Sequence, residues 1–148
     1  MAFKAAGTHV IISSQTPANP FRYHSTPVHA LYAKAVAEKT GVTFLDHFSL
    51  TRDDYLGLGA AAVNEMLPSD GIHTTLAGAE LVARSFVKGV LCAGPTNPLY
   101  PYVTADARLV SPSPLWMGAS RSYALWRAKE ILRRQGRVVC KGSFSINP

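Results

Sequence analysis

Cysteine is scarce in this chain. Only Cys92 and Cys140 occur in 148 residues, too few to define a disulfide framework, and the residues alone favour two free thiols over one pair. Long apolar runs are missing as well. No stretch approaches the ~20 residues that a membrane span needs, and Met1-Ala-Phe-Lys-Ala-Ala-Gly7 has no apolar core long enough for a signal peptide. There is no internal repeat and no low-complexity run beyond a cluster of prolines. Asp46, His47, Asp70 and His73 are metal-ligand types, but no His-x-His or His-x-x-x-His spacing supports a site, so neither a metal nor a cofactor is expected.

Negative charge is also short, and only in one part of the chain. Residues 1–94 carry seven basic and seven acidic side chains. Residues 95–148 carry eight basic ones against Asp106 and Glu130, and so hold the entire net charge of +6. So sharp a split argues for two segments of different character, 1–94 and 95–148. Pro95, Pro98, Pro101, Pro112 and Pro114 exclude regular structure from most of the start of the second segment. Beyond them, Ser120 to Gln135 reads as a basic helix and Val138 to Cys140 as a short strand. Clustered Arg and Lys with Trp126 and Tyr123 would suit a nucleic-acid surface, but a solvated helix face is the expected reading.

The first segment reads as α/β. Thr8 to Ser14 is a β-branched apolar run, expected as a strand buried on both faces. After a Pro- and Asn-rich loop, Thr26 is placed to cap a helix with Pro27 at its first position. Val28, Leu31, Tyr32, Ala35 and Val36 form its apolar stripe, and Gly41 stops it. Val42 to Asp46 is a second strand, making a βαβ unit. Thr51 with Asp54 resembles a capping box for a helix weakened by Gly57 and Gly59. Asn64 to His73 reads as a loop. A long helix follows from Thr74 to about Leu91, with Leu76, Ala79, Ala83, Phe86 and Val90 as its buried stripe and Glu80 set to pair with Arg84.

The chemistry concentrates in Pro68-Ser-Asp-Gly-Ile-His73. The spacing lets the Asp70 carboxylate fold back onto Nδ1–H of His73 within one turn, freeing Nε2 to take a proton from a nucleophile. The plainer alternative is a helix-capping Asp70 beside a surface His73. Three polar loops, after Ser13, at Asp46-His47 and at Asp70–His73, are expected on one rim beyond the strand ends. Asp46 and His47 are expected to cap and bond backbone, His9 to be packed inside its strand, and His24 and His29 to be surface residues.

Asp70-x-x-His73 followed by Thr74-x-x-Ala-Gly-Ala79 resembles the last block of the SGNH (GDSL-like) hydrolases. Val10-Ile-Ile-Ser-Ser-Gln-Thr-Pro-Ala-Asn-Pro-Phe21, Phe44-Leu-Asp-His-Phe-Ser49 and Ala62-Val-Asn-Glu-Met-Leu-Pro-Ser-Asp-Gly-Ile-His73 resemble its carbohydrate-esterase branch, in particular the rhamnogalacturonan acetylesterase type. The blocks run in order from Val10 to about Gly94. The resemblance implies a partial flavodoxin-like three-layer fold lacking its N-terminal strands. It also implies an ester hydrolase acting on an acetylated polysaccharide, with His73 as general base and Asp70 as its orienter. A secreted parent is implied too, and a pairing of Cys92 with a cysteine near the C-terminus.

The chain departs from the family pattern in one respect. No Gly-Asp-Ser and no Gly-x-Asn-Asp occurs, so the nucleophile and oxyanion blocks are missing. The resemblance is to a C-terminal half, and the chain alone is expected to be inactive. Two strands cannot make a sheet face of normal size, so apolar surface is expected to lie open. Ser13, Ser14, Ser49 and Ser69 are available serines, but none has the glycine neighbours of an exposed nucleophile. The reading from another class is a non-catalytic remnant, or a protein binding nucleic acid through its basic tail.

Overall fold

The computed structural model describes residues 2–24 and 27–103. Along them run α1 (Ala2–Ala5), β1 (Ile11–Ser13), α2 (Val28–Thr40), β2 (Thr43–Leu45), α3 (His47–Leu58), α4 (Ala60–Met66) and α5 (Leu76–Ala93). Two 3-10 turns, Gly94–Thr96 and Tyr100–Tyr102, follow. Thr26, the Ser120–Gln135 helix, the Val138–Cys140 strand and Cys140 lie outside the described residues.

The architecture is α/β and mostly helical, with a small parallel sheet. β1 and β2 pair with Ile11 opposite Thr43, Ile12 opposite Phe44 and Ser13 opposite Leu45, and α2 makes the crossover. Gly41 ends α2 in the left-handed region (φ 62°). Its N–H bonds the Glu38 carbonyl and that of Val42 bonds the Ala37 carbonyl, a Schellman closure that glycine reaches without steric cost. Lys4 of α1 adds its ammonium to the Thr40 and Gly41 carbonyls, at 3.4 and 3.1 Å.

Several expectations are corrected. β1 is shorter than expected and only half-buried, with Ser13 exposed, because among the described residues it has a ladder partner on one side only. His9 precedes the strand and is exposed, so it is not a packed histidine. Pro27 stands just before α2 rather than at its first position. The stripe read on α2 faces solvent at Val28, Tyr32, Ala35 and Val36, and Ala30 and Ala37 are the buried positions.

α3 begins earlier than its expected capping box. Asp46 is the N-cap, accepting from Ser49 N–H at 3.1 Å and from Ser49 Oγ–H at 2.7 Å. Thr51 is buried inside the helix, and Asp54 reaches across to α5 instead. At Gly59 (φ 86°) the helix breaks, and α4 then carries Asn64, which the sequence reading placed in a loop.

The core sits between helices. Tyr55 of α3, Val63 of α4, Leu67 and Leu81 of α5 form its centre, with Leu58, Met66 and Val82 packed around them. α5 meets this core along Gly78, Leu81, Ser85, Gly89 and Val90; Leu76, Ala79 and Ala83 are exposed and Phe86 is half-buried. The buried face thus combines Gly78, Ser85 and Gly89 with Leu81 and Val90. A Cβ on Gly78 would lie 2.9 Å from the Met66 carbonyl oxygen, so this glycine admits the end of α4. One on Gly89 would lie 2.9 Å from Leu45 Cδ2. Polar bonds tie α3 to α5: Asp54 accepts from Ser85 Oγ–H at 2.8 Å and from Lys88 Nζ at 3.1 Å. Lys88 therefore serves the packed side, whereas Glu80 and Arg84 pair at 3.1 Å as the spacing predicts.

Candidate active site

The loop between α4 and α5 is closed at its base, where Thr75 N–H donates to the Met66 carbonyl at 2.8 Å. Thr75 also caps α5 by accepting from Gly78 N–H. Within the loop, Asp70 folds the chain back on itself. Its Oδ1 accepts from Ile72 N–H at 2.9 Å and His73 N–H at 2.8 Å, the local side-chain-to-backbone bonding that Asp favours in turns. Gly71 lies between them at φ 67°.

The other oxygen, Oδ2, is 2.6 Å from His73 Nδ1. The amide of His73, then that of Ile72, then the His73 ring hold the Asp70 carboxyl well below the usual carboxylate range. An ionised carboxylate only accepts, so Nδ1 carries the proton and Nε2 keeps its lone pair. The His73 side chain is 85% exposed and that of Asp70 44%. No described residue bonds Nε2. The arrangement is an oriented imidazole whose basic nitrogen faces outward.

The rest of the rim is assembled by the loop after β1. Ser14 N–H continues the ladder by donating to the Leu45 carbonyl at 3.0 Å. Its hydroxyl accepts from Phe48 N–H at 2.8 Å, satisfying a free amide in the first turn of α3. Further along, Asn19 N–H donates to the Gly71 carbonyl at 2.8 Å. One loop thus touches both the start of α3 and the Asp70–His73 loop. Ser13 donates to the Ser14 carbonyl and Ser49 to Asp46, so with Ser14 three of the four serines have hydroxyls committed to structural bonds.

His47 does not join His73. It is buried, its Nε2–H donates to the Val82 carbonyl at 2.9 Å, and its ring meets Phe86 edge-on. Burial lowers its pKa, against the opposing pull of the Val82 carbonyl and of Asp46. His24 and His29 are exposed. Among the described residues no three His, Cys, Asp or Glu side chains gather as a metal ion would need. Nor is any described helix long and apolar enough to cross a membrane. Cys92 holds no free thiol, which corrects the free-thiol reading.

This chain is 39% identical over 98 residues to a rhamnogalacturonan acetylesterase of Emericella nidulans. The chain is a partial relative of that esterase. The match takes in 64% of this chain and spans 40% of the length of the relative. No family model matches.

Sequence reading missed three side chains that brace the Asp70–His73 loop: Asn19, Arg22 and Asn64. Asn19 is fully buried, and its Nδ2 donates to Asn64 Oδ1 at 2.9 Å. Arg22 Nε donates to the same oxygen at 3.0 Å. Asn19 and Asn64 stand in two of the blocks that carry the esterase resemblance, and that shared membership was the available signal.

Proposed function

We propose that this chain supplies the acid–base part of a carbohydrate esterase that deacetylates a plant cell-wall polysaccharide such as rhamnogalacturonan. The observation that carries the reading is the 2.6 Å contact between Asp70 Oδ2 and His73 Nδ1, with Nε2 turned to solvent. The partial relationship to a rhamnogalacturonan acetylesterase supports the substrate class. In this reading residues 1–94 are the C-terminal part of a flavodoxin-like SGNH domain working outside the cell, and residues 95–148 are a separate basic tail.

His73 is the general base and Asp70 its orienter. As a serine hydroxyl attacks the acetyl carbonyl, Nε2 takes its proton and later returns it to the departing sugar oxygen. Asp70 fixes the tautomer and stabilises the imidazolium. The serine and the oxyanion donors come from Gly-Asp-Ser and Gly-x-Asn-Asp blocks, which this sequence does not contain. Losing one oxyanion donor typically costs about 10²–10³ in rate, and without a nucleophile nothing remains for the base to activate. The 148-residue chain alone is therefore expected to hydrolyse p-nitrophenyl acetate no faster than free imidazole. Adding a separately made N-terminal half bearing the Gly-Asp-Ser block is expected to restore acetate release from acetylated rhamnogalacturonan. Saturable turnover by the chain alone would overturn this account of its incompleteness.

A further inference from the structure

We infer that Asn19, Arg22 and Asn64 are positioning residues that clamp the Asp70–His73 loop in its working shape; the inference rests on the proposed role of that pair. The clamp is built on a turn at residues 19–23, where Arg22 and Tyr23 N–H both return to the Asn19 carbonyl. Asn19 Oδ1 stiffens the turn by accepting from Phe21 N–H at 2.9 Å, while its Nδ2 reaches Asn64. The turn grips the loop on both sides of Asp70, at Pro68 and Ser69 and again at Gly71. Arg22 Nη1 donates to the carbonyls of Pro68 and Ser69, at 3.2 and 3.3 Å. Asn19 N–H takes the Gly71 carbonyl. The Tyr23 ring fills the space where a Gly71 side chain would stand, with Cε2 only 2.8 Å from an ideal Cβ.

Asn64 is the hub. One carbonyl oxygen, Oδ1, receives both Asn19 Nδ2–H and Arg22 Nε–H, and it projects from α4, which is anchored in the core through Val63. The loop is otherwise held at its base and by Asp70 itself, and its outer face is open to solvent. The clamp therefore connects the rigid helices to the carbonyls on either side of Asp70, and so fixes where the carboxylate and the imidazole meet.

The test is nuclear magnetic resonance on the full 148-residue chain, reading the ¹⁵N shifts of the His73 ring and hydrogen exchange at the Ile72 and His73 amides. Asn64→Ala is expected to speed exchange at both amides about tenfold, the population shift that loss of a hydrogen bond of ordinary net strength brings. It should also move the His73 ring away from the pure Nδ1–H form, with α5 amides unchanged. Asn64→Asp keeps an acceptor oxygen in place and should restore both readouts. Should Asn64→Ala loosen α5 as a whole, Arg22→Ala, which removes an exposed side chain, replaces it with the same expected loop signature. Unchanged His73 ring shifts and amides overturn the clamp, as does an Asn64→Asp protein that behaves like Asn64→Ala. The readout is the state of the ring and not turnover, so a failure of the esterase reading leaves this result standing, and a failure here leaves that reading intact.

Discussion

His47 and His73 carry their protons on opposite nitrogens, because each faces an oxygen that can only accept. His73 offers Nδ1–H to a carboxylate at the surface, and His47 offers Nε2–H to a backbone carbonyl inside the fold. The difference sets a pH dependence. Burial lowers the pKa of His47, so the unfolded chain binds the proton more tightly than the folded one. The stability of this contact is complete above about pH 6.5, the free-imidazole value, and is lost as pH falls through that value toward the lower folded pKa. The melting temperature is expected to drop between pH 7 and pH 5, and the drop should shrink in His47→Gln. An equal drop in that variant would place the titration elsewhere. The Asp70–His73 pair was legible because its partners lie three residues apart, within reach of one turn. The Asn19–Asn64 bond joins residues 45 apart, and no local spacing reveals it.

Helix α5 shows how a strong periodic pattern misleads. Leu76, Ala79, Ala83, Phe86 and Val90 read as the buried stripe, yet of these Val90 alone is buried, and the face against α3, α4 and β2 is Gly78, Leu81, Ser85, Gly89 and Val90. Where helices pack closely, backbone fills part of the interface and glycine and serine fit there, so apolar character alone does not locate the buried side. Gly78→Ala is the test. Alanine improves intrinsic helix propensity by about 1 kcal/mol, but its Cβ would sit 2.9 Å from the Met66 carbonyl, which already accepts Thr75 N–H at the loop base. A net destabilisation of about 1–3 kcal/mol is expected from the overpacking, measured by urea unfolding. A stabilised protein would show that α4 and α5 are not in this contact. By contrast, the Gly41 stop was legible because it needs only local geometry.

At the scale of the molecule, the sequence conveyed the α/β class and the βαβ order, but periodicity did not say which faces would be covered. The α2 stripe, with Tyr32 at 63% and Val36 at 49% exposure, is apolar surface lying open in this chain. Val36→Lys is accordingly expected to change stability by less than about 0.5 kcal/mol, as at other exposed positions. A loss several times larger, read by the same unfolding assay, would mean that the face is packed. The same open character bears on the proposed function, since the His73 imidazole bonded to Asp70 is itself exposed. The decisive measurement is the deacetylation rate of the chain complemented by an N-terminal half bearing Gly-Asp-Ser, with and without His73→Ala. The account predicts that His73→Ala abolishes the restored rate, and that Asp70→Asn lowers it strongly through loss of the correct tautomer. A restored rate indifferent to His73→Ala would contradict the assignment of His73 as the base.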